Sequence, residues 1–235
     1  MAHVILDPGH GGRDPGAVGY GLREADVVLA VCLRAAEILR QHRVQVTLTR
    51  TDNTTLEPAA RVRKVNAAQG DAVVSVHCNA SASPDANGTE TYHSIFSKPG
   101  KGGQALARAL QFHVVAALGT TNRGVKTRKG RNGRDYYYMI RETKPPAAII
   151  ELAFITNAND ARLLQSKRDQ AAVAVARGVL DYFGIPYQAP VRKAPAAPPA
   201  PAAPKPSAAP APAEPGEGFR DVPAAHREAV EALRR

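Results

Sequence analysis

Three short apolar runs in this chain each lead to a side chain that can bind a metal ion or carry a proton. His3-Val4-Ile5-Leu6-Asp7 leads into Pro8-Gly9-His10, Ala72-Val73-Val74-Ser75-Val76 ends on His77, and Ala147-Ala148-Ile149-Ile150 ends on Glu151. With Glu24, the two imidazoles give the donor set of a catalytic zinc site, in which three protein ligands leave a fourth position open. Zn²⁺ in such a site polarises a carbonyl and brings the pKa of bound water toward neutrality. A further carboxylate must then take a proton and deliver it to a leaving amine, and Glu151 has the chemistry for that role. A carboxylate set between Ile150 and Leu152-Ala153-Phe154-Ile155 is not freely solvated, and buried carboxylates are rare unless paired, metal-bound or functional.

Each residue also has a plainer reading. His10 in its glycine-rich surroundings fits an ordinary turn, and His77 fits a hydrogen-bonded strand-end histidine. Glu24 opens a helix, where any carboxylate complements the dipole, and Glu151 fits a salt bridge. A phosphate-cradling loop at Gly9 to Gly16 is excluded because no Gly-Lys-Ser/Thr follows.

The elements that must position these groups follow from the pattern of apolar residues. The three runs read as buried parallel strands, and ligands of open α/β sheets sit beyond the carboxyl ends of such strands. A helix is predicted from Glu24 to Gln41, a strand over Val44 to Arg50, a helix from Glu57 to Gln69 and a strand from Gly88 to Ser94. Leu106, Leu110, Val114 and Leu118 define a helix stopped by Gly119, and Thr120 to Asp135 reads as a basic, glycine-rich loop. Ser166-Lys167-Arg168-Asp169 resembles a capping box opening a last helix through Phe183. The alternation predicts an α/β fold, a single mainly parallel β-sheet with helices on both faces.

Residues 1–187 hold nearly all the large apolar side chains, enough for one core. Residues 188–218 turn to alanine and proline and read as an extended, disordered linker. Residues 219–235 form a short amphipathic helical tail too small to fold alone. Cys32 and Cys78 do not make a disulfide framework, and no run is long enough to span a bilayer. Met1-Ala2 opens directly into the first strand, so no secretory signal is expected. The net charge of +10 calls for an anionic partner. The low aromatic content, 5% with no Trp, speaks against base stacking on nucleic acid.

Four strings in order resemble the zinc-dependent N-acetylmuramoyl-L-alanine amidases that use a His/Glu/His metal site. They are Ile5-Leu6-Asp7-Pro8-Gly9-His10-Gly11-Gly12 with Asp14-Pro15-Gly16-Ala17, then Glu24, then Ser75-Val76-His77-Cys78-Asn79-Ala80, then Ile150 to Asn157. The resemblance covers roughly residues 2–187 and departs at Ala153, where the family usually has Gly, and at Cys78, where it often has Ala. It implies hydrolysis of the amide between muramic acid and L-alanine of bacterial peptidoglycan. Zn²⁺ would be bound by His10, Glu24 and His77, with Glu151 as general base. Arg128, Arg131 and Arg134 of the basic loop, with Asn79, are the candidates for contacting the stem peptide; a merely solvated loop is the alternative. Gly218-Phe219-Arg220-Asp221-Val222-Pro223 with His226 resembles the opening of an S-layer-homology module, which would offer an anionic wall polymer a second site. The resulting expectation is a monomeric wall hydrolase made in a cytoplasm without a signal peptide, such as a phage endolysin or a mother-cell lysin.

Two other classes remain open at this level. Two His and a carboxylate also make the facial triad of a non-haem Fe(II) oxygenase, which has no use for Glu151. A charge-driven wall- or nucleic-acid-binding protein would need none of the four residues.

Overall fold

The computed structural model describes residues 1–189; the rest of the expected linker and the expected tail lie outside the described residues. Strand β1 (His3–Pro8) lies between β4 (Gln45–Leu48) and β5 (Ala72–Asn79), and β8 (Ala147–Phe154) follows β5, all four parallel. Beyond β8 come β6 (Thr89–His93), antiparallel to it, and β7 (Asn122–Lys126), parallel to β6. The order β4-β1-β5-β8-β6-β7 makes one six-stranded, mostly parallel sheet. The glycine-rich segment after β1 carries a small antiparallel ribbon, β2 (Val18–Gly19) and β3 (Leu22–Arg23).

Alternate residues of each central strand face opposite layers. Val4, Leu6, Val74, Val76, Ile150 and Leu152 pack against α1 (Glu24–Gln41), α3 (Gly102–Leu118) and α6 (Arg168–Tyr182) in the larger core. Ile5, Val73 and Ile149 face a smaller cluster formed with α2 (Pro58–Ala68) and α4 (Tyr138–Glu142). Val28, Val31, Ala35, Ile38 and Leu39 recur at helical spacing along α1, and all are buried. α3 ends as its sequence requires, with Gly119 in the left-handed region at φ 72° and its N–H bonded to Val115 O.

Two expectations need correction. The stretch Thr120 to Asp135 is not all loop, because Asn122–Lys126 forms the edge strand β7, followed by a 3₁₀ turn at Arg131–Gly133. Ser166-Lys167-Arg168-Asp169 is not a capping box. Ser166 closes a helix of its own, α5 (Ala158–Ser166), and its hydroxyl donates back to Arg162 O. α6 starts behind Lys167 with no side-chain cap, and Asp169 instead pairs with Arg34 of α1 at 2.9 Å. Asn157, whose side chain accepts from the N–H groups of Asn159 and Asp160, caps α5.

Candidate active site

The carboxyl ends of β1, β5 and β8 meet at one rim, and the start of α1 reaches the same place. Glu24 Oε1 lies 3.0 Å from His10 Nε2 and 2.9 Å from His77 Nδ1. The two imidazoles meet edge to face with centroids 5.0 Å apart. One donor atom from each of the three residues falls within 4.8 Å of the others. Glu24 is further fixed by the N–H groups of Ala17 on Oε2 (2.8 Å) and Cys78 on Oε1 (3.0 Å). His10 Nδ1 bonds Asp14 at 2.7 Å, which orients the ring with Nε2 toward Glu24, as carboxylates beside metal-binding histidines do.

The backbone makes room for this convergence. A side chain at Gly9 would collide with the His77 ring, and one at Gly16 with Glu24 and His10. His10 itself takes a left-handed conformation, φ 58°, which a non-glycine residue adopts only when its surroundings insist. Two arginines supply that insistence. Arg61, buried on α2, pairs with Asp7 at 2.6 Å and donates to Pro8 O (2.6 Å) and His10 O (2.7 Å). Arg50, also buried, donates to Pro8 O (3.1 Å), Gly9 O (2.7 Å) and Ala25 O (2.8 Å). Asp7 is saturated by Arg61, Thr49 and Ser75, so it belongs to this scaffold and not to the donor set.

Burial opposes the charged form of each of the three donors, yet the hydrogen bonds among them prevail. Glu24 is held well below the usual carboxylate range by His10 and His77. Glu24 in turn lifts His10 above its ordinary value and His77 to about 9. An anion that draws protons onto two half-buried imidazoles has the charge to hold a cation, and two nitrogens with one carboxylate oxygen are a donor set that fits Zn²⁺.

Glu151 stands directly beside His77 in the β5–β8 register, on the same face of the sheet. Its Oε2 is buried with no hydrogen-bond partner among the described residues. Burial, with the charges of Glu24 and Glu90 added, pushes its carboxyl up to about 7. A cavity of about 250 Å³ opens from His10 and His77 between Thr55, Leu56, Pro58 and Tyr137. A larger one of about 510 Å³, between α3 and α6, contains none of these groups.

None of the sequence-predicted substrate residues lines the cavity beside the donor cluster. Asn79 spends its amide on Glu90 at 2.8 Å. The Arg128 guanidinium lies 3.7 Å over the Tyr136 ring, Arg131 is exposed on the 3₁₀ turn, and Arg134 pairs with Glu142 at 3.2 Å. Of the three successive tyrosines Tyr136, Tyr137 and Tyr138, Tyr137 and Tyr138 line the 250 Å³ cavity. Sequence reasoning passed over Asp7, Asp14, Arg50, Arg61 and Glu90. Asp7 carried a readable signal, since it too ends a buried strand.

Fold and site together define an α/β protein with a His/Glu/His cluster at the carboxyl rim of its sheet. The chain belongs to the N-acetylmuramoyl-L-alanine amidase family, whose profile matches residues 4–181. It is 37% identical over 182 residues to the N-acetylmuramoyl-L-alanine amidase LytC of Bacillus subtilis, covering 77% of this chain and 35% of that relative. The chain thus spans about a third of LytC. The endolysin of Bacillus phage SPP1 is 37% identical over 180 residues, 74% of this chain and 62% of that one. Among solved structures, the catalytic domain of CwlV, an N-acetylmuramoyl-L-alanine amidase from Bacillus (Paenibacillus) polymyxa, superposes with a TM-score of 0.70 at 33% identity. It covers 79% of this chain and all of that domain.

Proposed function

We propose that this protein hydrolyses the amide bond between N-acetylmuramic acid and the L-alanine of peptidoglycan stem peptides. On this reading His10, Glu24 and His77 hold a Zn²⁺ ion. When bound, the ion supplies Lewis acidity at the scissile carbonyl and brings the pKa of a water molecule toward neutrality. Glu151 is the general base. Its Oε2 accepts a proton from the attacking water and passes it to the departing alanine nitrogen. Asp14 keeps the His10 ring turned so that Nε2 faces the donor set, and the Arg50–Arg61 pair holds the His10 loop in place. The stem peptide leaves the donor cluster along the sheet rim past Glu151, with Arg128, Arg131, Arg134 and Asn79 as candidate polar contacts along its course.

The observation that carries the proposal is the unpartnered, buried Oε2 of Glu151 beside His77. A structural carboxylate would be paired, whereas one awaiting a proton from substrate water has its partner only in the complex. Mass spectrometry of digested sacculi tests the reaction. New L-alanine amino termini are expected, and new reducing sugars without them would refute it. Metal analysis of the active protein is expected to give zinc; iron with oxygen-dependent activity would favour the facial-triad reading. We further propose that the protein acts on the cell wall in the manner of an endolysin or mother-cell lysin, with residues 188–218 as linker and residues 219–235 as a wall-polymer contact.

A further inference from the structure

We propose that Arg123 and Lys126, anchored on the buried carboxylate of Glu90, form an anion subsite that receives a free carboxylate of the peptide leaving group. The inference rests on the amidase reading above and adds the substrate class that this part of the site prefers.

Register places the groups in a row. His77 of β5 is level with Glu151 of β8, and Glu151 is level with Glu90 of β6. Residues level across a sheet point to the same face, with strands about 4.8 Å apart. Glu90 therefore stands one strand further from the His/Glu/His cluster than the general base does. It is 4% exposed and fully engaged. Its Oε1 accepts from Asn79 Nδ2 and Tyr92 Oη, each at 2.8 Å. Its Oε2 accepts from Arg123 Nε at 2.7 Å and Lys126 Nζ at 2.6 Å.

One carboxylate against two cations leaves the cluster with a net charge of +1. The surplus faces outward, because the Arg123 and Lys126 side chains are each about one-third exposed (34% and 36%) while Glu90 is not. Arg123 is further steadied by Asn87 O at 3.2 Å and by lying 4.9 Å over the Phe154 ring. Cations ordered in this way lose little freedom when they take up an anion.

The order of the row matches the order of a peptide leaving group. With the scissile carbonyl at the donor cluster and the alanine nitrogen at Glu151, the chain continues toward Glu90. A peptide advances at most about 3.3–3.6 Å per residue, so the residue after L-alanine approaches Glu90, on which the Arg123 and Lys126 side chains converge. A free carboxylate there meets a positive site, and a carboxamide does not. Arg128 and Arg134, by contrast, are turned to Tyr136 and Glu142.

The test uses the zinc-loaded full-length protein and two synthetic muramoyl peptides that differ only at the residue after L-alanine, one with a free carboxylate and one with the carboxamide. The wild type is expected to favour the carboxylate form in kcat/KM by about ten- to a hundredfold, the range of a charge-assisted hydrogen bond. Lys126→Gln and Arg123→Gln each keep a donor for Glu90 and are expected to bring the ratio of the two kcat/KM values toward one, through KM. Lys126→Arg is expected to restore the preference. Zinc content and thermal midpoint are followed in all four proteins. Equal turnover of both peptides by the wild type would overturn the subsite, as would variants that lose activity in the same proportion on both. If the wild type cleaves neither peptide, the amidase reading itself has failed.

Discussion

At the residue scale, the donor cluster and Glu151 make separable predictions. Glu151→Gln keeps the size of the side chain and removes its basicity. Turnover of sacculi is expected to fall by about two to four orders of magnitude while zinc content by elemental analysis stays stoichiometric. His77 predicts a proton linkage. Its pKa rises from 6.5 to about 9 because the Glu24 contact outweighs burial, so its proton stabilises the metal-free fold below pH 6.5 and that contribution disappears as pH climbs through 9. A metal ion must displace the same proton. Zinc uptake at pH 7 is therefore expected to release protons and to strengthen with pH up to about 9, measured by titration calorimetry in two buffers of different ionisation heat. Binding without proton release would remove the imidazoles from the donor set. His10, His77 and Glu151 were legible in the chain because each sits at the end of an apolar run. Glu90 was not, since Thr89-Glu90-Thr91-Tyr92 looks like a half-solvated strand and the two cations that pair with Glu90 lie more than thirty residues away.

At the scale of elements, the His10 loop depends on α2 and on the segment after β4 as much as on β1. Arg61→Ala would break a buried ion pair and strip three carbonyls of a donor. Removing one partner of a buried pair costs about 3–5 kcal/mol, and loss of support behind a metal ligand weakens affinity by about ten- to a hundredfold. Denaturant melts and competition with a zinc chelator are expected to show both. Arg61→Lys should recover part of the stability and less of the affinity, because a point charge cannot reach Asp7, Pro8 O and His10 O together. Neither arginine was legible as a scaffold residue, since Arg50 follows a short polar strand and Arg61 sits on a helix with Arg63 and Lys64, where a cation looks solvated. The central strands and the three large helices were legible through their periods. β7 was not, because Asn122-Arg123-Gly124-Val125-Lys126 has one large apolar residue and becomes a strand only by pairing with β6. The false capping box arose from a local pattern outweighed by the neighbouring helix α5.

At the scale of the whole molecule, both cores close within the described residues, and no helix among those residues is long and apolar enough to cross a membrane. A chain ending at Tyr187 is expected to keep the thermal midpoint within a few degrees and to cleave a soluble muramoyl peptide at the full-length rate. Its retention on intact sacculi should drop, as a pelleting assay would show, because the basic tail is gone. The proposed catalytic apparatus also draws on positions 10, 24, 77 and 151, with the last on a strand sandwiched between two others in the sheet. During translation, a growing polypeptide therefore has the metal donors well before it has the base. On the proposed mechanism, a nascent fragment short of β8 would carry no wall-cleaving activity, so destructive chemistry would be withheld from the cell until synthesis of the domain is nearly done.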